Sequence, residues 1–595
     1  MKTYALDYET YYDKDCSIRT LGPLGYFNHP DFDAYMVSVV GDDGYEFVGH
    51  PKDFDWGIIE DNIVLAHNAS FDETLYKFGV DKGLWPEVKY AAWYCTADMA
   101  AYCGLPRNLA GSCKYALGVE PDKSTRTNML GKRWEDMDSE FRSEVEEYAL
   151  QDSRLCLQLW QRLSSEWPDH EKEISRVNRE ALQNGIPIDI DELHAAKERV
   201  HQYLFEAESC IPWMGEKQTL SRVAFNDECR KMGIEPPKSL AKNNAAAQEW
   251  IKKHGEKYKW VKAVGEWRRI NSMLRKLEAI DHATMADGRY YGNIMYWGAH
   301  TGRFSGGGGN FNLQNLPRKE MFGADLRKLI KPPQGKKLIV VDLSQIEVRT
   351  LLWLAKDKEM LKTVEESDDI YEAFAIKFGY WDNSKGILRI EDPNLRHIVK
   401  AMVLGAGFMA GPKAFGAAYG VDEEKAQECI TTYRKHMKKV TQLWDEIGGR
   451  MYDSQVLDPD NIDEIHPYTE DLPLRKIKYG HLNRKKINKN DKYAATIATI
   501  IKHSKPVYVR LWQGLVTENL AQGLARDIFA DSLVRLEKSG HKILFHVHDE
   551  VIIEADEEGA DETLEEVIKI MSTPPDWIPD IPLAAEGSVL DHYEK

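Results

Sequence analysis

Cysteine pairs, long apolar runs and low-complexity tracts are all scarce in this chain. Its eight cysteines, spread over 595 residues, include no Cys-x-x-Cys pair. That speaks against a zinc ribbon or a disulfide framework and for free thiols in a reducing compartment. No charged segment followed by an apolar stretch opens the chain, and no run approaches the ~18 apolar residues of a membrane span. The expectation is a cytoplasmic protein with no membrane partner. No repeat and no long disordered linker interrupts it, and only Gly306 to Gly309 is of low complexity. Basic residues are the minority, 78 Lys and Arg against 96 Asp and Glu, for a net charge of −18.

That acidic balance does not exclude a nucleic-acid partner, because screening confines exposed charge to roughly 8 Å at physiological salt. Local patches decide instead. One comprises Lys252, Lys253, Lys257, Lys259, Lys262, Arg268, Arg269, Arg275 and Lys276; another comprises Arg475, Lys476, Lys478, Arg484, Lys485, Lys486, Lys489 and Lys492. Either could be a solvated helix face, but together they suit a surface that tracks phosphates. The length calls for several domains. The first ~165 residues alternate strand-like and helical runs, as an α/β unit does, with a boundary expected near Trp167 and Pro168. Residues from about 190 to 285 read as mostly helical, and the remainder mixes strands with long helices.

The richest segment is VVDLSQIEVR, residues 340 to 349. Asp342 ends the apolar run Leu338 to Val341, which reads as a buried strand leading into a helix-forming turn. Asp549 in FHVHDEVIIE sits between two further strand-like runs, Ile543 to Val547 and Val551 to Glu554. Two strand-end aspartates can hold a pair of Mg²⁺ ions about 4 Å apart, which would clamp the attacking and leaving oxygens of a phosphoryl displacement. Turn and helix-cap roles are the ordinary use of such a residue. A second acidic set opens the chain. Asp7 and Glu9 stand two apart on the strand TYALDYE and share a side. In AHNASFDETLY, Ser70 and Glu73 fit a capping box that puts Asp72 in the first turn of a helix, where the dipole also favours an acid. In EEYALQDSRL, Tyr148 and Asp152 share a helical face.

DYE, NASFD and YALQD resemble the three motifs of the proofreading 3′–5′ exonucleases. The resemblance implies an RNase H-like domain over residues 1–165, with Asp7, Glu9, Asp72 and Asp152 as metal ligands and Tyr148 orienting the attacking water. Asn68 would position the motif or the strand.

Beyond residue 290 the chain resembles family A DNA polymerases, above all those of bacteriophages. VVDLSQIEVR and HVHDEV correspond to the two palm motifs, and RHIVKAMVLGAGFMAG to the nucleotide-binding helix of the fingers. GAHTGRFSGGGGNFNLQNLPR matches the Thr-Gly-Arg and Leu-Gln-Asn signature, and TENLAQGLARD the helix that carries a glutamine. The fold class implied is an α/β and α+β multidomain protein, the exonuclease domain being followed by a right-hand polymerase domain over 166–595. Its thumb would lie at about 190–285, its palm at 286–360 and 505–595, and its fingers at 361–504.

Charge and periodicity support the fingers helix independently. Asp392 can cap it, Pro393 suits its first position, and Arg396, Lys400, Leu404 and Phe408 follow at intervals of four, as one stripe. Two cations a turn apart match a polyphosphate. The resemblance assigns Arg396 and Lys400 to the incoming triphosphate and Glu347 to the barrier against a 2′-hydroxyl. Arg303, Gln522 and His548 would feel the minor-groove edge near the primer terminus. Asp342 and Asp549 would hold two Mg²⁺, or Mn²⁺ in their place, with Glu550 in support. Three residues depart from the cellular members. Leu404 stands where many have Phe or Tyr, Phe408 where Tyr is usual, and Tyr371, in the nucleotide pocket, where His is frequent.

The expected partners are primer-template DNA, dNTPs, and a processivity factor or other replication proteins; the expected role is phage genome replication. The rival readings are an exonuclease with an inactive polymerase fold serving as a DNA-binding scaffold, a single-subunit RNA polymerase, and a repair polymerase. Asp342, Lys400 and Asp549 weigh against the first, and Glu347 and the exonuclease motifs against the second.

Overall fold

The computed structural model describes all residues except 123, 242–243, 293, 308–311, 458–463, 466–476, 486–494, 503–504 and 595. Part of Gly306 to Gly309 and most of the second basic patch therefore lie outside the described residues. All eight cysteines are free thiols, and among the described residues no helix is long and apolar enough to cross a membrane.

The N-terminal unit is built on a five-stranded mixed sheet. Strands β1 (Thr3–Glu9), β2 (Met36–Gly41), β3 (Glu46–Gly49), β4 (Ile63–Ala66) and β5 (Ala92–Cys95) lie in the order β3-β2-β1-β4-β5. The first three are antiparallel neighbours, while β4 and β5 join in parallel. Helices α1 (Ala69–Asp81) and α2 (Ser139–Leu163) pack on it.

The expected boundary near Trp167 and Pro168 is a break between helices, not an exposed linker. Trp167 is buried and donates from its indole to the Tyr296 hydroxyl at 3.1 Å. One buried cluster runs from Met99, Leu155 and Trp167 to Leu338 and Tyr593, so the two parts of the chain share a core. Helix α3 (Asp169–Gln183) crosses that junction.

Among the described residues, 190 to 285 are mostly helical, as expected. Helix α4 (Ile190–Ser209) packs on α5 (Lys259–Ala283), with two shorter helices between them in sequence. The first basic patch is on this bundle, solvent-facing throughout except for the half-buried Lys276.

The C-terminal part centres on a four-stranded antiparallel sheet of β6 (Lys336–Leu343), β9 (Lys542–Val547), β10 (Glu550–Asp556) and β11 (Ala585–Leu590), in the order β9-β10-β6-β11. Leu338 to Val341 are buried on both faces of β6. Helix α6 (Ile346–Leu354) follows β6, α7 (Pro393–Ala401) lies further along the chain, α8 (Gln513–Lys538) packs on α6, and α9 (Ala560–Ser572) covers the sheet. The expected limit between fingers and palm at 505 divides a hairpin. β7 (Ala495–Lys502) pairs with β8 (Lys505–Leu511) along their length, so this boundary moves to the start of α8. Cross-strand pairing, which local patterning does not reveal, sets the limit.

Candidate active sites

Asp342 and Asp549 lie on neighbouring segments at one end of the central sheet. Asp342 is the penultimate residue of β6, and its neighbours across the sheet are Glu550 on one side and Glu586 on the other. Residues directly opposite one another on adjacent strands project to the same face, so three acids form a row there. Asp549 lies in the turn between β9 and β10, and its carbonyl accepts a hydrogen bond from the Leu343 amide at 3.1 Å. The turn is shaped by His548, whose φ of 57° lies in the left-handed region, uncommon for a residue other than glycine. Gln314 holds this turn: its Oε1 accepts from the His548 amide at 2.9 Å, and its Nε2 donates to the His546 carbonyl at 2.6 Å. Glu550 is buried and accepts from the Tyr593 hydroxyl at 2.6 Å. Burial, with Glu550 second, pushes that hydroxyl's pKa up. Glu550 thus anchors the chain's C-terminal segment beneath the site.

Arg303, His548 and Asp549 line one small cleft together with Phe304, Ile346, Ala525, Arg526 and Phe529. Arg303 also pairs with Glu347, in the first turn of α6. Gln522 does not line this cleft; its amide donates to Glu518 at 3.2 Å. Burial and then Glu347 raise the Glu518 carboxyl's pKa, while Arg303 opposes them. Of the expected minor-groove trio, Arg303 is therefore already paired with Glu347 and Gln522 with Glu518, while the His548 amide is held by Gln314.

Asp392 caps α7 by accepting from the Leu395 amide at 2.9 Å, and Pro393 opens the helix, as the sequence implies. Arg396 and Lys400 share a face, with their charged ends 5.1 and 5.6 Å from the Tyr371 ring centroid. Beyond them Met402–Ala406 form a π-turn, in which each bond spans an extra residue, and Leu404 and Phe408 pack partly buried against the core. Small residues permit this turn: a Cβ on Gly407 would lie 2.6 Å from the Val403 carbonyl, and one on Gly514 2.3 Å from that of Phe408. Tyr371 is buried, and burial pushes its hydroxyl's pKa up to about 12, with Arg396 opposing. Arg396 is gripped by Asp369, Nε to Oδ2 at 2.6 Å.

At the N-terminal site, Asp7 and Glu9 stand two apart on β1 opposite Ser38 and Met36. Asp72 sits in the first turn of α1 with its carboxylate accepting from the Tyr8 amide at 3.3 Å. Burial, and then the Asp7 charge, raise its pKa well above the ordinary carboxylate value. Tyr148 on α2 is raised by burial and then by Asp152, Glu9 and Asp7. The fold therefore brings the three motifs to one end of β1. The expected capping box is absent. Asn68, with φ 83°, takes the N-cap position and Ser70 lies inside the helix, because asparagine tolerates the left-handed entry from β4. Glu73 instead pairs with Arg179 at 3.1 Å and Lys77 at 3.0 Å. Among the described residues no group of three or more His, Cys, Asp or Glu side chains forms a ready metal centre. The donors at both sites are carboxylates, which suit hard Mg²⁺. The crowding of buried Asp72 by Asp7 is the kind of repulsion that a divalent cation relieves.

Sequence reasoning passed over Asp369, Gln314, Glu518, Arg526 and Glu586. Signals for some were present: Asp369 is two residues from Tyr371, Gln314 is the centre of the Leu-Gln-Asn signature, and Glu518 and Arg526 flank Gln522 at intervals of four. Glu586 carried none, since its place follows from the pairing of β11.

Residues 191–459 match the family model for DNA polymerase family A. The chain is similar along its whole length to the DNA polymerase of Bacillus phage SP02, 26% identical with all of both chains covered. It is also 24% identical to the thermostable DNA polymerase I of Thermus filiformis, over 76% of this chain and 51% of that one. It thus spans the full length of the phage relative and about half of the Thermus one. In fold it is similar to the POL domain of Pol1 from M. smegmatis, solved in complex with DNA primer-template and dNTP. The TM-score is 0.67, with 17% identity over 99% of this chain and 95% of that one. The family match thus covers residues 191–459, and the likeness along the whole length is to a phage DNA polymerase.

Proposed function

We propose that this protein is a DNA-directed DNA polymerase that extends a primer 3′ end with dNTPs and carries a 3′–5′ exonuclease in residues 1–165. One observation carries the synthetic reading: the Leu343 amide to Asp549 carbonyl bond of 3.1 Å docks the turn bearing Asp549 on the end of the strand bearing Asp342. In this reading Asp342 and Asp549 hold Mg²⁺, or Mn²⁺, which when bound lowers the pKa of the primer 3′-hydroxyl and steadies the leaving pyrophosphate. Glu550, held by Tyr593, braces the turn. Arg396 and Lys400 exchange their present partners for the triphosphate, Arg396 gripping bidentately and Lys400 as a point charge. Tyr371 backs them. Glu347 borders the sugar, Leu404 and Phe408 the base, and Arg303, Gln522 and His548 the minor-groove edge of the new pair.

In the N-terminal unit Asp7, Glu9, Asp72 and Asp152 hold the cations for hydrolysis of the last phosphodiester, and the Tyr148 hydroxyl, kept protonated, orients the attacking water. Residues 190–285 act as a thumb that grips duplex phosphates through the exposed lysines. Residues 286–360 with those from 513 onward act as the palm, and 361–512 as the fingers. Likeness to the phage relative supports phage genome replication in the host cytoplasm, with a processivity factor as a further partner.

The test is primer extension and 3′-end hydrolysis on a defined template. Asp342→Ala should abolish extension and leave hydrolysis, and Asp7→Ala should do the opposite. Loss of both activities from either single change would refute two independent sites.

A further inference from the structure

Helix α3 belongs to neither proposed site, yet consecutive residues on it reach toward both. Successive side chains on an α-helix leave it about 100° apart, so Asn178 and Arg179 face different neighbours. Arg179, 4% exposed, donates from Nε to Glu73 at 3.1 Å, from one terminal nitrogen to the Trp93 carbonyl at 2.8 Å, and from the other to the Ser175 hydroxyl at 3.1 Å. Glu73 directly follows Asp72. Burial alone would raise the Glu73 carboxyl's pKa, but Arg179 and Lys77 hold it below the ordinary range. The guanidinium thus pins the first turn of α1 against β5.

Asn178, 3% exposed, donates from Nδ2 to the Ile294 carbonyl at 2.8 Å. Its Oδ1 is therefore the acceptor for His546 Nε2 at 3.0 Å. His546 stands two residues before His548 and three before Asp549. Its carbonyl is held by the same Gln314 amide that holds the turn. Two further bonds fix α3 to the palm: Glu171 accepts from Arg526 on α8 at 2.6 Å, and Asn184, at the end of α3, donates to the Ile543 carbonyl on β9 at 2.8 Å.

We propose that α3 is a common bracket for the two active sites, with Arg179 a positioning residue for the Asp72 carboxylate and Asn178 a positioning residue for the Asp549 turn. The proposal rests on the assignment of the two sites above. Buried polar bonds suit this task because they are directional and costly to leave unmade. Partners that orient metal-ligating carboxylates characteristically govern metal affinity by 10- to 100-fold.

Arg179→Met in the full chain should raise the Mg²⁺ needed for half-maximal 3′-end hydrolysis about tenfold, with primer extension essentially unchanged. Asn178→Leu should do the reverse. Calorimetric titration of Mn²⁺ without DNA should show one class of site weakened in each variant. Arg179→Met leaves Glu73 with Lys77 as its cation, so the double variant Glu73→Gln/Arg179→Met, checked for a single cooperative thermal transition, should show the same weakened Mn²⁺ binding, and Arg179→Lys should recover part of it. Loss of both activities together in each variant, or Mn²⁺ binding equal to the parent's, would overturn the proposal. A parent chain that binds Mn²⁺ at both sites but hydrolyses no 3′ ends would overturn the exonuclease reading instead, with the calorimetric arm still testing the bracket.

Discussion

The buried His546 makes the palm acid-sensitive in a way that can be calculated. Its ring is 1% exposed, lies between Phe304 and Phe529 at centroid distances of 4.4 and 5.7 Å, and hydrogen-bonds Asn178. Burial, and then Arg526 and His548, lower its pKa from 6.5 to about 3. A histidine with a depressed folded pKa takes up its proton only on unfolding. The stability it leaves intact above pH 6.5 is therefore lost as pH falls toward 3. Each pH unit in that window costs about 1.4 kcal/mol, so about 2 kcal/mol is gone by about pH 5. Amide hydrogen exchange in β9, corrected for the intrinsic rate at each pH, measures the opening free energy at neutral pH and near pH 5. His546→Phe keeps the aromatic packing and removes the titration. It should show a pH dependence shallower by about 2 kcal/mol, whatever its absolute stability after losing the Asn178 bond. Parallel pH profiles for parent and variant would refute the reasoning, because they would mean that His546 is charged in the fold or titrates alike in both states.

Two more outcomes follow from the geometry. Gly407→Ala places a methyl 2.6 Å from the Val403 carbonyl and 3.1 Å from Leu351, so it should cost about 1–3 kcal/mol and slow primer extension while sparing 3′-end hydrolysis; an unchanged Tm and extension rate would show that the π-turn yields freely. At subsaturating Mg²⁺, hydrolysis should fall on acidification at a pH above the ordinary carboxylate range, because Asp72 binds a cation only when deprotonated and its pKa is raised. A pH profile of hydrolysis that shows no carboxylate titrating above that range would remove Asp72 from the site.

Local chemistry carried the sequence reading where neighbours in the chain decide. The β6 and β9–β10 strands, the Asp392 cap with Pro393, and the pairing of Arg396 with Lys400 all follow from residue type and period, and each is present in the fold. Period gave no sign of the π-turn at Met402–Ala406, where Gly405 and Gly407 lie close against Phe415, Tyr419 and Tyr433. The capping box failed at Ser70, because Asn68, two residues earlier, adopts the left-handed backbone from which α1 starts. The expected limit at 505 failed because β7 and β8 pair across it.

The sequence by itself determined the residue types that the chemistry needs: carboxylates at strand ends, cations one turn apart, and small residues where the backbone must bend. Those are properties of short segments, and a segment carries them wherever it lies. Only the tertiary structure decided which of them meet. Asp342 lies beside Glu550 and Glu586 through the register of three strands remote in the chain, and Arg303 pairs with Glu347 across 44 positions. Asn178 reaches His546 and Arg179 reaches Glu73 and Trp93 because packing around one core sets buried polar groups from remote segments beside each other, where each must find a partner.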